Sequence, residues 1–138
     1  MSAALELPVR PTPIRQAGTR HAEEAAMLRA VLNLFDRWQL TPAQARILLG
    51  DPSERTFQRW RKGEVASLPA DTVFRLGTLL GIHKALRYMF ADPARAYAWV
   101  RAPNAAFGGH SALDRMLQGA PTNLAAVRAY LDAERGGW

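Results

Sequence analysis

Along this chain the apolar residues recur every three or four positions, in runs cut short by proline and glycine. Nowhere do they alternate one in two. Such a pattern turns one face of a helix toward a core and gives no half-buried strand a face to bury. Met27, Val31, Leu34 and Trp38 stand at i, i+4, i+7 and i+11, with Leu28, Leu32 and Phe35 widening the stripe. The expected fold is all-α, a bundle of short helices. At 138 residues and 49% hydrophobic the chain suffices for one domain, or two small helical ones sharing a core.

Punctuation predicts the element boundaries. Pro8, Pro11, Pro13 and Gly18 mark residues 1–20 as a flexible, mildly basic arm, and the first helix is expected from His21. Thr41 and Pro42 form a cap and first-turn pair for a helix over 42–49, stopped by Gly50. Ser53 caps a second over 54–62, stopped by Gly63. Residues 70–90 read as two helices split near Gly81. Asp92-Pro93 opens a helix to about 100, Ser111 one over 112–117, and Thr122 or Asn123 a last one to about 134. The run from Pro103 to Gly109 is irregular. The expected organisation is an arm (1–20), a helix-turn-helix unit (21–66) and a second helical module (67–138).

Catalysis is not expected. No cysteine is present, which excludes a disulfide scaffold, a thiolate metal site and a cysteine nucleophile. His21, His83 and His110 stand apart from one another and from carboxylates at ligand spacing, and Ser111 lacks a nucleophile-elbow context. Neither metal nor cofactor is expected. Without an apolar run long enough to span a bilayer, or a signal-peptide core, the expected compartment is the cytoplasm. The net charge is +6, and residues 1–90 hold 13 basic side chains against 8 acidic ones. That places an anionic partner, if there is one, on the first two thirds of the chain.

Residues 40–63 carry the strongest local signal, two short helices joined by a tight glycine-containing turn. On the second helix Phe57 and Trp60 share the core side. Arg55, Gln58, Arg59 and Lys62 share the opposite face, with Thr56 close by and Ser53 at the entry. Arginine forks onto guanine, glutamine onto adenine, and a hydroxyl at the helix start reaches phosphate, so this face suits a major groove. A solvated basic face in an ordinary bundle is the competing explanation. The order Leu-Thr, Leu-Leu-Gly, Thr-x-x-Arg-Trp and Gly resembles the Xre-type helix-turn-helix. Here the turn after Gly50 is one residue longer than usual, and the small residue of the first helix stands at Ala45, with Arg46 in its ordinary place.

In the second module an aromatic-rich loop links short helices. Phe107 is too apolar for a free loop and is expected to fold back onto them, while Gly108 and Gly109 permit positive φ. Leu124, Val127 and Leu131 make the inner stripe of the last helix, with Arg128, Asp132 and Arg135 largely opposite. Trp138, after two glycines, suits a plug entering a partner's pocket or a contact within the chain.

The run Trp99, Pro103-Asn104, Phe107-Gly108-Gly109, Leu113-Asp114 and Gly119, with the ending Val127-x-x-Tyr130-Leu131 to Gly136-Gly137-Trp138, is similar to the toxin-binding domain of Xre/MbcA/ParS antitoxins. That resemblance implies an antitoxin for an NAD-degrading RES-domain toxin, covering the toxin's active site and repressing its own operon. It implies toxin contact through Asn104, Phe107, Gly108, Gly109, Tyr130, Arg135, Gly136, Gly137 and Trp138. Operator symmetry implies a homodimer, expected through helices 70–90. Two alternatives stay open: a stand-alone repressor, and a protein-only antitoxin that no longer binds DNA.

Overall fold

The computed structural model describes residues 13–136, with side chains from residue 18 onward; residues 1–12, Gly137 and Trp138 lie outside it. The first helix, α1 (Pro13–Arg37), begins before His21. Proline fits a first helical position because its missing N–H has no partner there, so the end of the expected arm, from Pro13 to Arg20, is helix. Leu28, Val31, Leu34, Phe35 and Trp38 are buried, as their spacing predicts. At the end of α1, Gln39 turns left-handed with φ 60°. Arg101, distant in sequence, donates from Nε to the Trp38 carbonyl (3.0 Å) and from Nη2 to that of Gln39 (2.6 Å).

The next two helices, α2 (Pro42–Leu48) and α3 (Glu54–Arg61), have the expected caps. The Thr41 hydroxyl accepts from the Gln44 amide at 3.1 Å, while Gln44 Oε1 accepts from the Thr41 amide at 3.0 Å. Ser53 Oγ accepts from the Thr56 amide at 3.1 Å.

The expected break near Gly81 does not occur: α4 is one helix, Ala70–Met89. A glycine inside a helix costs only about 1 kcal/mol relative to alanine. Around it α4 buries Leu76, Leu79, Ile82, Ala85 and Leu86, which outweighs that cost. Gly81 is also a seat, since a β-carbon there would lie 2.5 Å from Cζ of Arg128. The remaining helices are α5 (Pro93–Trp99), α6 (Ala112–Met116) and α7 (Pro121–Glu134). The last begins at Pro121, ahead of both expected caps. Asn123, already inside the first turn, accepts from the Ala120 amide at 2.9 Å.

Helix α4 is the axis of the bundle, packed against α1, α5 and α7. Arg128 lies on Gly81 and Arg135 lies over the Tyr88 ring at 5.0 Å, so residues seven apart on one helix meet residues seven apart on the other. The two helices therefore run parallel. These arginines edge onto α4 instead of facing away from the core side, as the sequence pattern suggests. Buried side chains of both halves form one cluster, from Leu28 and Trp38 through Trp60 and Leu76 to Met116 and Leu131. Most apolar residues of 70–90, the expected dimer interface, are used within the chain; Phe74, Tyr88 and Met89 remain exposed.

One buried cation ties the halves together. Arg75 is 4% exposed. Its Nε donates to Asp71 at 2.7 Å and its Nη2 to the Gly119 carbonyl at 2.8 Å, while Nη1 lies 3.4 Å from the carbonyls of Ile47 and Leu48. A single guanidinium thus satisfies the C-terminal end of α2 and the turn after α6. Gly50 makes room for it, because a β-carbon there, already strained at φ +94°, would meet Asp71 Oδ2 at 2.9 Å.

Two predictions follow from this packing. Arg75→Met keeps the aliphatic stem but strands these carbonyls, so denaturant titration will show a loss of about 3 kcal/mol. His83, stacked parallel on Tyr97 at 6.1 Å, has its pKa held below the ordinary 6.5 by burial and by the charge of Arg87. The unfolded chain therefore binds the proton more readily, and stability falls as pH drops from 6.5 through the folded-state midpoint. Wild type will lose more thermal stability than His83→Gln between about pH 7.5 and about pH 5.

Candidate functional site

The α2–turn–α3 unit displays the expected face. Arg55, Gln58, Arg59 and Lys62 are exposed, Thr56 is half-buried, and Phe57 and Trp60 are buried beneath them. Ser53 is exposed and already employed: besides capping α3, its hydroxyl donates to Thr56 Oγ1 at 3.0 Å. Arg59 lies 3.7 Å from Glu64, an exposed pair worth under about 1 kcal/mol and readily exchanged for a phosphate. Arg61, also exposed, lies over the Phe57 ring at 5.6 Å, and Glu54 is the acidic member of the exposed set on α3.

The two departures in this unit are linked. In the longer turn both Gly50 and Asp51 take positive φ, a conformation aspartate tolerates better than most residues. The Asp51 amide donates to the Arg46 carbonyl at 2.7 Å, and Arg46 Nε donates to the Pro52 carbonyl at 3.0 Å. Arg46 is therefore the clamp on the turn between α2 and α3. Ala45 fills the buried position beside it.

The second candidate surface lies between α5 and α7. Trp99, Phe107 and Tyr130, all half-buried, form a three-ring cluster. Tyr130 stacks on Trp99 at 6.2 Å, and Phe107 meets Tyr130 edge-on at 5.4 Å and Trp99 edge-on at 6.4 Å. Phe107 reaches this place on a single 3-10 turn, Ala105–Phe107, capped by Asn104, whose Oδ1 accepts from the Ala106 amide at 2.9 Å. The Asn104 amide donates to the His110 carbonyl (3.0 Å) and the Gly109 amide donates to the Asn104 carbonyl (3.0 Å), closing the loop. Gly108 and Gly109 sit at φ 68° and 85°, exposed beside the rings. Asn104 thus shapes the loop. Ser111 and Asp114 cap α6 reciprocally, and hydrogen bonds from Ser111 hold the Asp114 carboxyl below its ordinary pKa.

Of the other expected contact residues, Arg135 is half-buried on Tyr88 and Gly136 is exposed at φ 104°, while Gly137 and Trp138 lie outside the described residues. Sequence reasoning did not place Trp99 among the contact residues, because its meeting with Phe107 and Tyr130 depends on how separate elements pack. It also missed Arg75 and Arg101, because nothing local in sequence distinguishes an arginine bound to distant carbonyls from a solvated one. Among the described residues no group of three or more His, Asp or Glu could hold a metal ion, and no helix is long and apolar enough to cross a membrane.

Comparison with known proteins matches both surfaces. A family model described as the antitoxin Xre-like helix-turn-helix domain matches residues 17–81. One described as the antitoxin Xre/MbcA/ParS C-terminal toxin-binding domain matches 85–137. Both matches include part of α4. The uncharacterized protein y4oB of Sinorhizobium fredii (strain NBRC 101917 / NGR234) is 48% identical over 116 residues, covering 84% of this chain and 89% of that protein. With an exposed basic helix in the first matched region and an aromatic surface in the second, the chain belongs to the Xre/MbcA/ParS antitoxin family.

Proposed function

We propose that this antitoxin neutralises a RES-domain, NAD-degrading toxin by covering its active site with the C-terminal module, and represses its own operon through α3. It acts in the cytoplasm by occupying other molecules, with no reaction of its own. The observation that carries toxin contact is the half-exposed Trp99–Phe107–Tyr130 cluster beside two exposed glycines. Such a surface offers large rigid rings for burial and a bare backbone that a partner can approach closely. Asn104 sets the loop, and Arg135, Gly136, Gly137 and Trp138 supply the tail that enters the toxin.

On the DNA side, Arg55, Gln58, Arg59 and Lys62 reach base edges and phosphates, while Ser53 and Thr56 meet phosphate at the helix entry. A homodimer presents two such helices to a two-fold operator. The clamp by Arg46 supports DNA contact over the protein-only alternative, because it fixes the longer turn in one geometry.

Each module has its own test. Deleting residues 136–138 will abolish inhibition of NAD consumption by the product of the adjacent gene and leave DNA affinity unchanged; equal inhibition by the truncated chain would refute the tail's role. Arg55→Ala and Arg59→Ala will each reduce the slope of log affinity against log salt for upstream DNA by about 0.9. An unchanged slope in both would remove α3 from the DNA interface.

A further inference from the structure

Tyr88 is 74% exposed and Met89 37%, on the last turn of a helix that is otherwise the bundle's most buried element. Phe90 follows, half-buried under the guanidinium of Arg95 at 5.3 Å, while Tyr88 lies under that of Arg135 at 5.0 Å. Two arginine–aromatic pairs therefore flank an exposed methionine. Lys84, one turn before Tyr88 on the same face, and Arg87 add two exposed cations. The ends of α4 and α7 and the start of α5 bring four positive groups here, Lys84, Arg87, Arg95 and Arg135, against three negative ones, Asp92, Asp132 and Glu134. Asp132 is paired with Arg128 at 3.7 Å, and Asp92 is already engaged in capping α5.

The parallel register of α4 and α7 makes this patch the point from which the tail departs. Arg135, the last residue before Gly136, rests on Tyr88 itself. The matched toxin-binding region begins at residue 85, so Tyr88 and Met89 fall inside it and Phe74, the other large aromatic exposed among the described residues, falls outside. A second copy of this chain is a poor occupant. A two-fold contact would set the same excess of positive charge against itself.

We infer that Tyr88 and Met89, at the C-terminal end of α4, form a further toxin-docking patch that takes an acidic, partly apolar segment of the toxin beside the entry point of the tail. This rests on the proposed reading of the C-terminal module as the toxin-contacting one. The patch differs from the Trp99–Phe107–Tyr130 cluster in its residues and its helix.

The test is calorimetric titration of the full-length chain, wild type, Tyr88→Ala, Tyr88→Asp and Met89→Asp, into the purified product of the adjacent gene. Sedimentation velocity of each variant alone and DNA affinity are measured in parallel. Because both side chains are exposed, folding should be unaffected, and an unchanged melting temperature checks this. The expected result is a toxin Kd raised at least about tenfold by Tyr88→Asp and Met89→Asp, and less by Tyr88→Ala, with DNA affinity unchanged. The aspartates should weaken binding most because they place negative charge against an acidic partner. If all three variants bind within twofold of wild type while the 136–138 deletion abolishes binding, the patch is not a docking surface and the reading of the module stands. If Tyr88→Asp instead dissociates a dimer at unchanged toxin affinity, the patch belongs to a second copy and the inference is overturned. If wild type neither binds nor inhibits that product, the underlying reading itself fails.

Discussion

The two halves of this protein depend on one buried guanidinium. Arg75 gathers the carbonyls at the end of α2 and the carbonyl of Gly119 into a single fork, with Asp71 balancing its charge. An isolated buried cation would be strongly unfavourable, and this one is tolerated because its donors meet oxygens and its partner carboxylate stays near solvent. Apolar burial supplies the gross stabilisation, but it has no direction. The arginine supplies the direction, fixing where the end of α2 stands relative to the C-terminal module.

Much of the fold was legible, and for a local reason. Caps act within three or four residues, so Thr41, Ser53, Asp92 and Ser111 announced their helices correctly. Buried stripes were legible by the same logic, since Phe57, Trp60, Leu124, Val127 and Leu131 follow helical spacing. Gly81 misled because its role depends on Arg128, almost fifty positions away, which no local rule sees. The start of α1 misled because the prolines that suggested an irregular arm include one suited to opening a helix.

The functional surfaces divide along the same line. The polar face of α3 could be read off because a short helix with two buried aromatics has one side left to expose. Phe107 folding onto the helices could be read from its unsuitability for a free loop. Its partners Trp99 and Tyr130, contributed by two different helices, required the three-dimensional arrangement. Likewise Arg46 looked like a departure from pattern when viewed alone, and becomes intelligible only with the Pro52 carbonyl it holds.

Arg46, Arg75 and Arg101 share a habit: each fastens distant or irregular backbone by donating to main-chain oxygens. A carbonyl is present whatever residue bears it. The bond itself does not depend on the receiving side chain, although burial holds Trp38 and Leu48 in place and positive φ holds Gly119. The architecture stores its inter-module geometry in a few donor residues, none of them on the exposed face of α3. Exposed residues of α3 can therefore be exchanged without disturbing the bonds that hold the two halves together.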